Sequence, residues 1–237
     1  MKDQLQDLVQ HINVGDIDLI KIVGSEKDTL ISAASENKTL ILLGQFKDPI
    51  AEFIGTFGMP NLNKLKTILG FDEYDDTAKI VVTRKDEDPE NIRFESKSGD
   101  FINTYRLMGK NLIQEKIKDI KFKGVNWNIE FEPQTVSIQK LKKQAMANSE
   151  ELHFMMKTEN NNLKIYFGDH STHSGNFVFE SQVKGSITQP KFWPVKTFLA
   201  IMDVVGDKTI KINDQIIQIT VDSGIAVYNY FLPAQSK

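Results

Sequence analysis

The sequence predicts an α+β chain built as two copies of one mostly β domain, and three observations carry that expectation. Short β runs dominate: IDLIKIVG, KTLILLGQF, AKIVVT, NIRFES, ELHFMMK, LKIYFG, FVFESQV and KTIKIN are rich in β-branched and aromatic residues and are separated by Asn, Asp, Gly and Ser turns. Four segments instead repeat apolar residues at helical spacing. They are Leu5, Leu8, Val9, Ile12; Leu62, Leu65, Ile68, Leu69; Ile138, Leu141, Ala145; and Phe198, Ile201, Val204, Val205. The third observation is that this order of elements occurs twice.

In chain order, the helix around Leu5 opens the first half and leads into β runs. A second helix follows between Pro60, placed at its start, and Gly70, placed as its C-terminal cap. Pro194 and Gly206 bracket the fourth helix in the same way. Superposing the two glycines gives an offset of 136 (206 − 70), which lays Leu62 on Phe198, Leu65 on Ile201, Ile68 on Val204 and Leu69 on Val205. The first helix of each half matches at 133 (138 − 5), with Leu8 on Leu141 and Ile12 on Ala145. Near the ends of the halves, SGDFINTYRLM and SGIAVYNYFLP match at 125 (223 − 98), pairing Gly99 with Gly224, Tyr105 with Tyr230 and Leu107 with Leu232. Insertions in hairpin loops account for the drift. The expected organisation is a domain over residues 1–108, a connector over 109–125 and a second domain over 126–237.

Composition bounds the function. Hydrophobic residues at 40% and charged residues at 26% predict a packed core rather than disorder. The chain has no cysteine, which removes disulfides, thiolate metal sites and thiol nucleophiles and fits a reducing cytoplasm, that of the host if the source is viral. No apolar run approaches the roughly 20 residues of a membrane span, and the N-terminus lacks the apolar stretch of a signal peptide. A net charge of −3 excludes a uniformly basic surface but leaves a local basic face open. The connector segment GKNLIQEKIKDIKFKG is lysine-rich with irregular apolar spacing; it reads as exposed, with Ile113, Ile117, Ile120 and Phe122 needing a surface to lie on.

Two clusters bear on catalysis. Asp169, His170 and His173 in GDHSTHSG place three potential metal ligands within five residues, but between two β runs they read as a hairpin turn. Asp72, Glu73, Asp75 and Asp76 follow the helix-ending Gly70, lack the loop glycine of a calcium-binding hand and read as a solvated connection. Residues 86–90 read as a hairpin tip. There is no P-loop, Rossmann glycine pattern, G-x-S-x-G elbow or H-E-x-x-H. A binding protein with no catalytic residue, metal or cofactor is expected; the alternative is a metal-dependent hydrolase using the Asp169, His170, His173 loop or the Asp72 to Asp76 cluster.

Two βα-rich halves, a basic and apolar connector, the helix NLNKLKTILG and the terminal strand GIAVYNYFLPA together resemble the DNA polymerase sliding clamps of phages and of the proliferating cell nuclear antigen type. The resemblance runs the full length and lies in order, spacing and local motifs. It implies the clamp fold: a homotrimeric ring of two-domain subunits, helices lining the hole, sheets outside. Such a ring encircles duplex DNA, tethers a DNA polymerase and is opened by a clamp loader, with no membrane partner. A monomeric two-domain adaptor would share the fold without closing a ring.

The resemblance also assigns roles. Lys64, Lys66, Lys140, Lys142, Lys143 and Lys196 lie on helices that would face DNA, where lysine contacts to phosphate give sequence-independent binding. Asp3 and Asp7 on the first helix and Asp203 on the last depart from a basic lining and imply a weak direct grip, with DNA held by topology. Tyr230, Leu232 and Pro233 match the tyrosine, apolar residue and proline lining a partner pocket, with connector residues Ile117, Ile120 and Phe122 opposite. The subunit contact is expected between residues 101–108 (Phe101, Tyr105, Leu107) and residues 174–183 of the next copy (Phe177, Phe179, Val183).

Overall fold

The computed structural model describes residues 1–118, 124–168, 174–187 and 189–235. It divides into two units, residues 1–122 with 222–228, and residues 123–221 with 229–237.

In the first unit α1 (Lys2–Ile12) forms because its apolar residues recur on one face; Leu5, Leu8, Val9 and Ile12 are all buried. Strands β1 (Leu19–Gly24), β2 (Thr29–Ala34), β3 (Ile41–Phe46) and β4 (Gly55–Pro60) form antiparallel pairs in the order β4-β1-β2-β3. Next comes α2 (Leu62–Leu69), whose first amide, otherwise without an intrahelical partner, donates to Asp18 Oδ1 at 3.0 Å. Strands β5 (Lys79–Lys85), β6 (Asp88–Glu95) and β7 (Ile102–Arg106) make a three-stranded antiparallel sheet.

The segment expected to be an exposed connector begins as a helix, α3 (Lys110–Lys116), docked on β4. Ile113 is fully buried there against Gly58, where an added Cβ would stand 2.8 Å from Ile113 Cδ1. The glycine is what lets the helix approach the sheet. One buried isoleucine on a short helix gives no periodicity to read, which is why the sequence pattern misses it.

The second unit holds β8 (Ile129–Phe131), α4 (Thr135–Ala147), β9 (His153–Glu159), β10 (Asn162–Phe167), β11 (Gly175–Glu180), β12 (Lys191–Pro194), α5 (Val195–Asp203), β13 (Asp207–Ile212), β14 (Ile216–Asp222) and β15 (Ala226–Pro233). A helix, four strands, a helix and three strands thus recur. The order β12-β9-β10-β11 repeats β4-β1-β2-β3, and the pairing of Leu19 with Pro60 repeats as His153 with Pro194, both at an offset of 134 (153 − 19, 194 − 60).

The duplication is real, but the glycine-based offset of 136 is not its register. Buried Leu62, Leu65, Ile68 and Leu69 correspond to buried Val195, Phe198, Ile201 and Met202, an offset of 133 (195 − 62). Val205, expected in the stripe, is 74% exposed beyond the helix. Gly206 does not cap α5: the helix ends at Asp203, Val204 is extended, and Lys208 Nζ donates to the carbonyls of Val204 (2.5 Å) and Gly206 (3.1 Å). A lysine ammonium at the helix C-terminus takes the place of a glycine cap. Burial lowers the Lys208 pKa, with Asp203 and Asp207 opposing the shift. Buried Ile92 and Phe94 of β6 match Ile219 and Val221 of β14 at 127 (219 − 92), and buried Tyr105 and Leu107 of the next strand match Tyr230 and Leu232 at 125 (230 − 105). The shortening therefore falls in two places: the helix-to-strand link, residues 70–78 in the first copy and 204–206 in the second, and the hairpin loop closed by Ser96 N to Phe101 O in the first copy and by Ser223 N to Ala226 O in the second, residues 97–100 against 224–225.

Residues 222–228 of the last strands belong to the first unit, where β3 has β15 beside it. Lys47 N donates to Ile225 O at 2.9 Å, and a Cβ on Gly44 would lie 3.1 Å from Tyr228 Cδ1. Contacts 44 to 228 and 47 to 225 run in opposite senses, so the pairing is antiparallel. Tyr228 donates its hydroxyl to Asp7 Oδ2 at 2.7 Å and its ring stacks on His11, centroids 4.6 Å apart. His11 Nδ1 lies 2.8 Å from the Asp7 carbonyl, and all three side chains are buried. The cluster fixes α1 to β15. Tyr228→Phe leaves the buried Asp7 carboxylate short of a donor and is expected to lower unfolding stability by about 1.5–3 kcal/mol, read from the guanidinium midpoint; an unchanged midpoint would contradict the role given to this bond.

Candidate DNA-facing helices and partner cleft

The helices that the sequence assigns to DNA carry their lysines at the surface. Lys64 and Lys66 on α2, Lys140, Lys142 and Lys143 on α4, and Lys196 on α5 are all exposed. At about 100° per residue, Lys140 and Lys143 share a stripe of α4 with exposed Val136, whereas Lys142 lies well around the helix from Lys140. There Lys142 forms an ion pair with Asp203 of α5. Its charge is already matched inside the unit. On α1, Asp7 is buried in the Tyr228 cluster and does not count against a basic lining, and Lys2 Nζ lies 3.5 Å from Asp76. Asp3 and Gln10 remain exposed on α1.

Away from the helices, the second unit shows lysines committed to a carboxylate. Glu159 accepts from Lys164 Nζ at 3.0 Å and Lys157 Nζ at 3.2 Å. Hydrogen bonds from Lys164, Tyr166 and Lys157 hold its carboxyl down at about 2, while burial first and Glu159 second push Tyr166 up to about 12.

The residues assigned to the subunit contact divide by face. Tyr105, Leu107 and Phe179 are buried in their own units; the Tyr105 hydroxyl donates to the Pro60 carbonyl, and burial, then the charge of Asp18, hold its pKa far above the ordinary tyrosine value. Phe101 is half-buried with its ring edge-on to Phe71 at 5.7 Å, and Phe177 and Val183 are half-buried. The exposed side chains of the two strands are Ile102, Thr104 and Arg106 on β7 and Asn176 on β11. Period-two alternation from Tyr105 and Phe177 carries that signal in the sequence.

Of the residues assigned to the partner pocket, Ile117 ends α3 and is buried, and Ile120 and Phe122 lie outside the described residues. Tyr230 and Leu232 are fully buried and Pro233 is half-exposed. The first unit has a cleft of about 760 Å³ against the connector, with Leu19, Ile41, Pro60, Met108 and Ile117 as its apolar lining. Its charged lining is mixed in sign, with Asp16, Asp18, Glu36 and Glu115 beside Lys38, Lys116 and Lys118. Tyr230, Leu232 and Pro233 are not among its lining residues. The cleft forms where the strand ends of one sheet meet the connector, a long-range juxtaposition that no local motif announces.

The alternative hydrolase site gains no support. Asp169, His170 and His173 lie outside the described residues. Asp75 is held by the Thr77 amide at 2.7 Å and hydroxyl at 2.6 Å, and those bonds lower its pKa. Among the described residues no three metal-ligating side chains come together.

No protein-family model and no curated protein matches the sequence. Solved structures do match, over the whole chain. A. fulgidus PCNA, in a structure with the C-terminal region of FEN-1 bound, matches at 12% identity and TM-score 0.70, covering 100% of this chain and 96% of that one. PCNA from Thermococcus kodakaraensis matches at 10% and 0.67, covering 99% and 97%. A chain of the PCNA2–PCNA3 complex from Sulfolobus tokodaii matches at 10% and 0.66, covering 100% and 97%. The chain has the sliding-clamp fold of PCNA, a duplicated antiparallel architecture with paired helices.

The Glu159 arrangement has a direct test. A group held below its ordinary value, near 4.3, contributes its interaction above that value and loses it as pH falls through the depressed one. Carboxyl carbon NMR is expected to show Glu159 titrating near 2, and a midpoint near 4.3 would contradict the network.

Proposed function

We propose that this chain is a subunit of a homotrimeric DNA sliding clamp that encircles duplex DNA, tethers a DNA polymerase for processive synthesis and is opened by a clamp loader. The observation carrying this reading is an edge relation within the repeat. In the first copy β3 has β15 as its neighbour; the counterparts of these two strands, β11 and β7, stand at the ends of their sheets. Joining β11 to β7 of the next copy repeats the pairing already made in the chain, and a head-to-tail contact of that kind closes a ring when its rotation divides the circle.

Side-chain volumes support this pairing. The β2–β3 register Ile31 with Gly44 recurs as Ile165 with Phe177, so Phe177 takes the place of Gly44. At the offset of 125 between β7 and β15, Asn103 takes the place of Tyr228. Gly44 against Tyr228 becomes Phe177 against Asn103. The large side chain changes strands and the pair keeps its volume, as close packing demands.

The partner reading rests on the connector cleft. An apolar lining with a charged rim suits a short segment carrying apolar anchors. The similar A. fulgidus protein binds the C-terminal region of FEN-1. The domain limits 1–108, 109–125 and 126–237 belong to the same reading, with a cytoplasmic location.

Two outcomes test it. At micromolar concentration mass photometry is expected to give three chains and negative-stain images closed rings; a monomer or dimer would refute the assembly. Lys140→Ala and Lys143→Ala are expected to weaken DNA retention alike on all sequences, each lowering the slope of log K against log salt by roughly 0.9 for every phosphate it no longer neutralises. Lys142→Ala changes the slope less, because its ammonium is paired with Asp203. Equal slopes for all three variants would remove α4 from the DNA-facing surface.

A further inference from the structure

Lys21 is a lysine in the middle of β1, 2% exposed, paired across the sheet with Ser32 on one side and Gly58 on the other. An ammonium withdrawn from water must be hydrogen-bonded, or its burial is strongly unfavourable. Lys21 Nζ donates to the carbonyl of Ile117 at 2.9 Å. That carbonyl belongs to the residue at which α3 ends, and the Ile117 amide donates back to Ile113 O at 2.8 Å. Gly58, the neighbour of Lys21 in the sheet, is where Ile113 of α3 is seated. The connector helix is therefore attached at two points on one stretch of sheet: an apolar seat at Gly58, and a charged bond at its C-terminal end.

We propose that Lys21 is the positioning residue for the connector wall of the cleft: by holding Ile117 O it fixes the end of α3, and with it Glu115, Lys116 and Ile117 on the cleft's lining. The proposal rests on the reading of the cleft as the partner site. Geometry sets the consequence. At Ile117 the chain leaves the helix with extended dihedrals, so this carbonyl marks the point where α3 gives way to the rest of the connector. A neutral side chain at position 21 leaves a buried carbonyl short of its charged donor, a change that shifts a local opening equilibrium by about tenfold or more.

The test is hydrogen exchange on the full-length protein, with Lys21→Met, which keeps the length of the stem, and Lys21→Arg, which keeps a donor. In Lys21→Met the amides of Ile113 and Ile117 are expected to exchange at least about tenfold faster, while ladder amides between Val23 and Leu30 keep their rates. Lys21→Arg is expected to fall between this variant and the unmodified protein. Unchanged exchange at Ile117 overturns the proposal. So does equal loss of protection in the β1–β2 ladder, failure of both variants to fold, or Lys21→Arg exchanging as fast as Lys21→Met, each of which assigns Lys21 to the core at large. No partner enters the measurement; whether the cleft is the partner site is read separately, by photocross-linking from position 116 to a DNA polymerase, and either claim fails without the other.

Discussion

An open strand edge leaves every second backbone amide and carbonyl without a protein partner, and that constraint organises this molecule. Along β3 the chain satisfies it internally with the start of β15. The contact is reinforced where the residues allow: Gly44 makes room for the Tyr228 ring, Tyr228 bonds Asp7, and His11 stacks on the same ring. The repeat then leaves the equivalent strands, β7 and β11, with their edges at sheet ends. The pair β7 and β11 is thus the counterpart of β15 and β3, and in the proposed assembly a second copy of the chain closes it. In that proposal assembly and duplication have the same physical origin.

The helices proposed to face DNA carry few unmatched charges. Of the lysines on α4, Lys142 is matched by Asp203, while Lys140 and Lys143 stand together on the exposed stripe. Asp7, an apparent departure from a basic lining, is a core hydrogen-bond acceptor. In the proposed clamp, few unmatched cations per helix would give a modest, salt-sensitive attraction to DNA, as sliding requires.

The helices and the duplication were legible because their signals are local: Leu5, Leu8, Val9 and Ile12 are spaced as a buried stripe must be. The register is hidden in the sequence where Lys208 caps α5 in place of Gly206. On α4 only Leu141 of the predicted stripe is fully buried; Ile138 and Ala145 are partly exposed, so the pattern overstated that face. The cleft and the Lys21 anchor were illegible because they join residues about a hundred positions apart. A lone lysine in a β run carries no sign that its ammonium turns inward. Tyr230 and Leu232 show the converse limit: alternation places them on one face, but burial assigns that face to the core.

The seam between copies is the central claim, and the absence of natural cysteines makes it directly measurable. With Phe177 opposite Asn103, the antiparallel register sets Asn176 opposite Thr104 of the next copy, both on exposed faces. The protein carrying Thr104→Cys and Asn176→Cys, oxidised at micromolar concentration, is expected to form a covalent ladder that stops at three chains, with the trimer closed on itself. A ladder that fails to form, or one that continues past three without closing, would contradict the account.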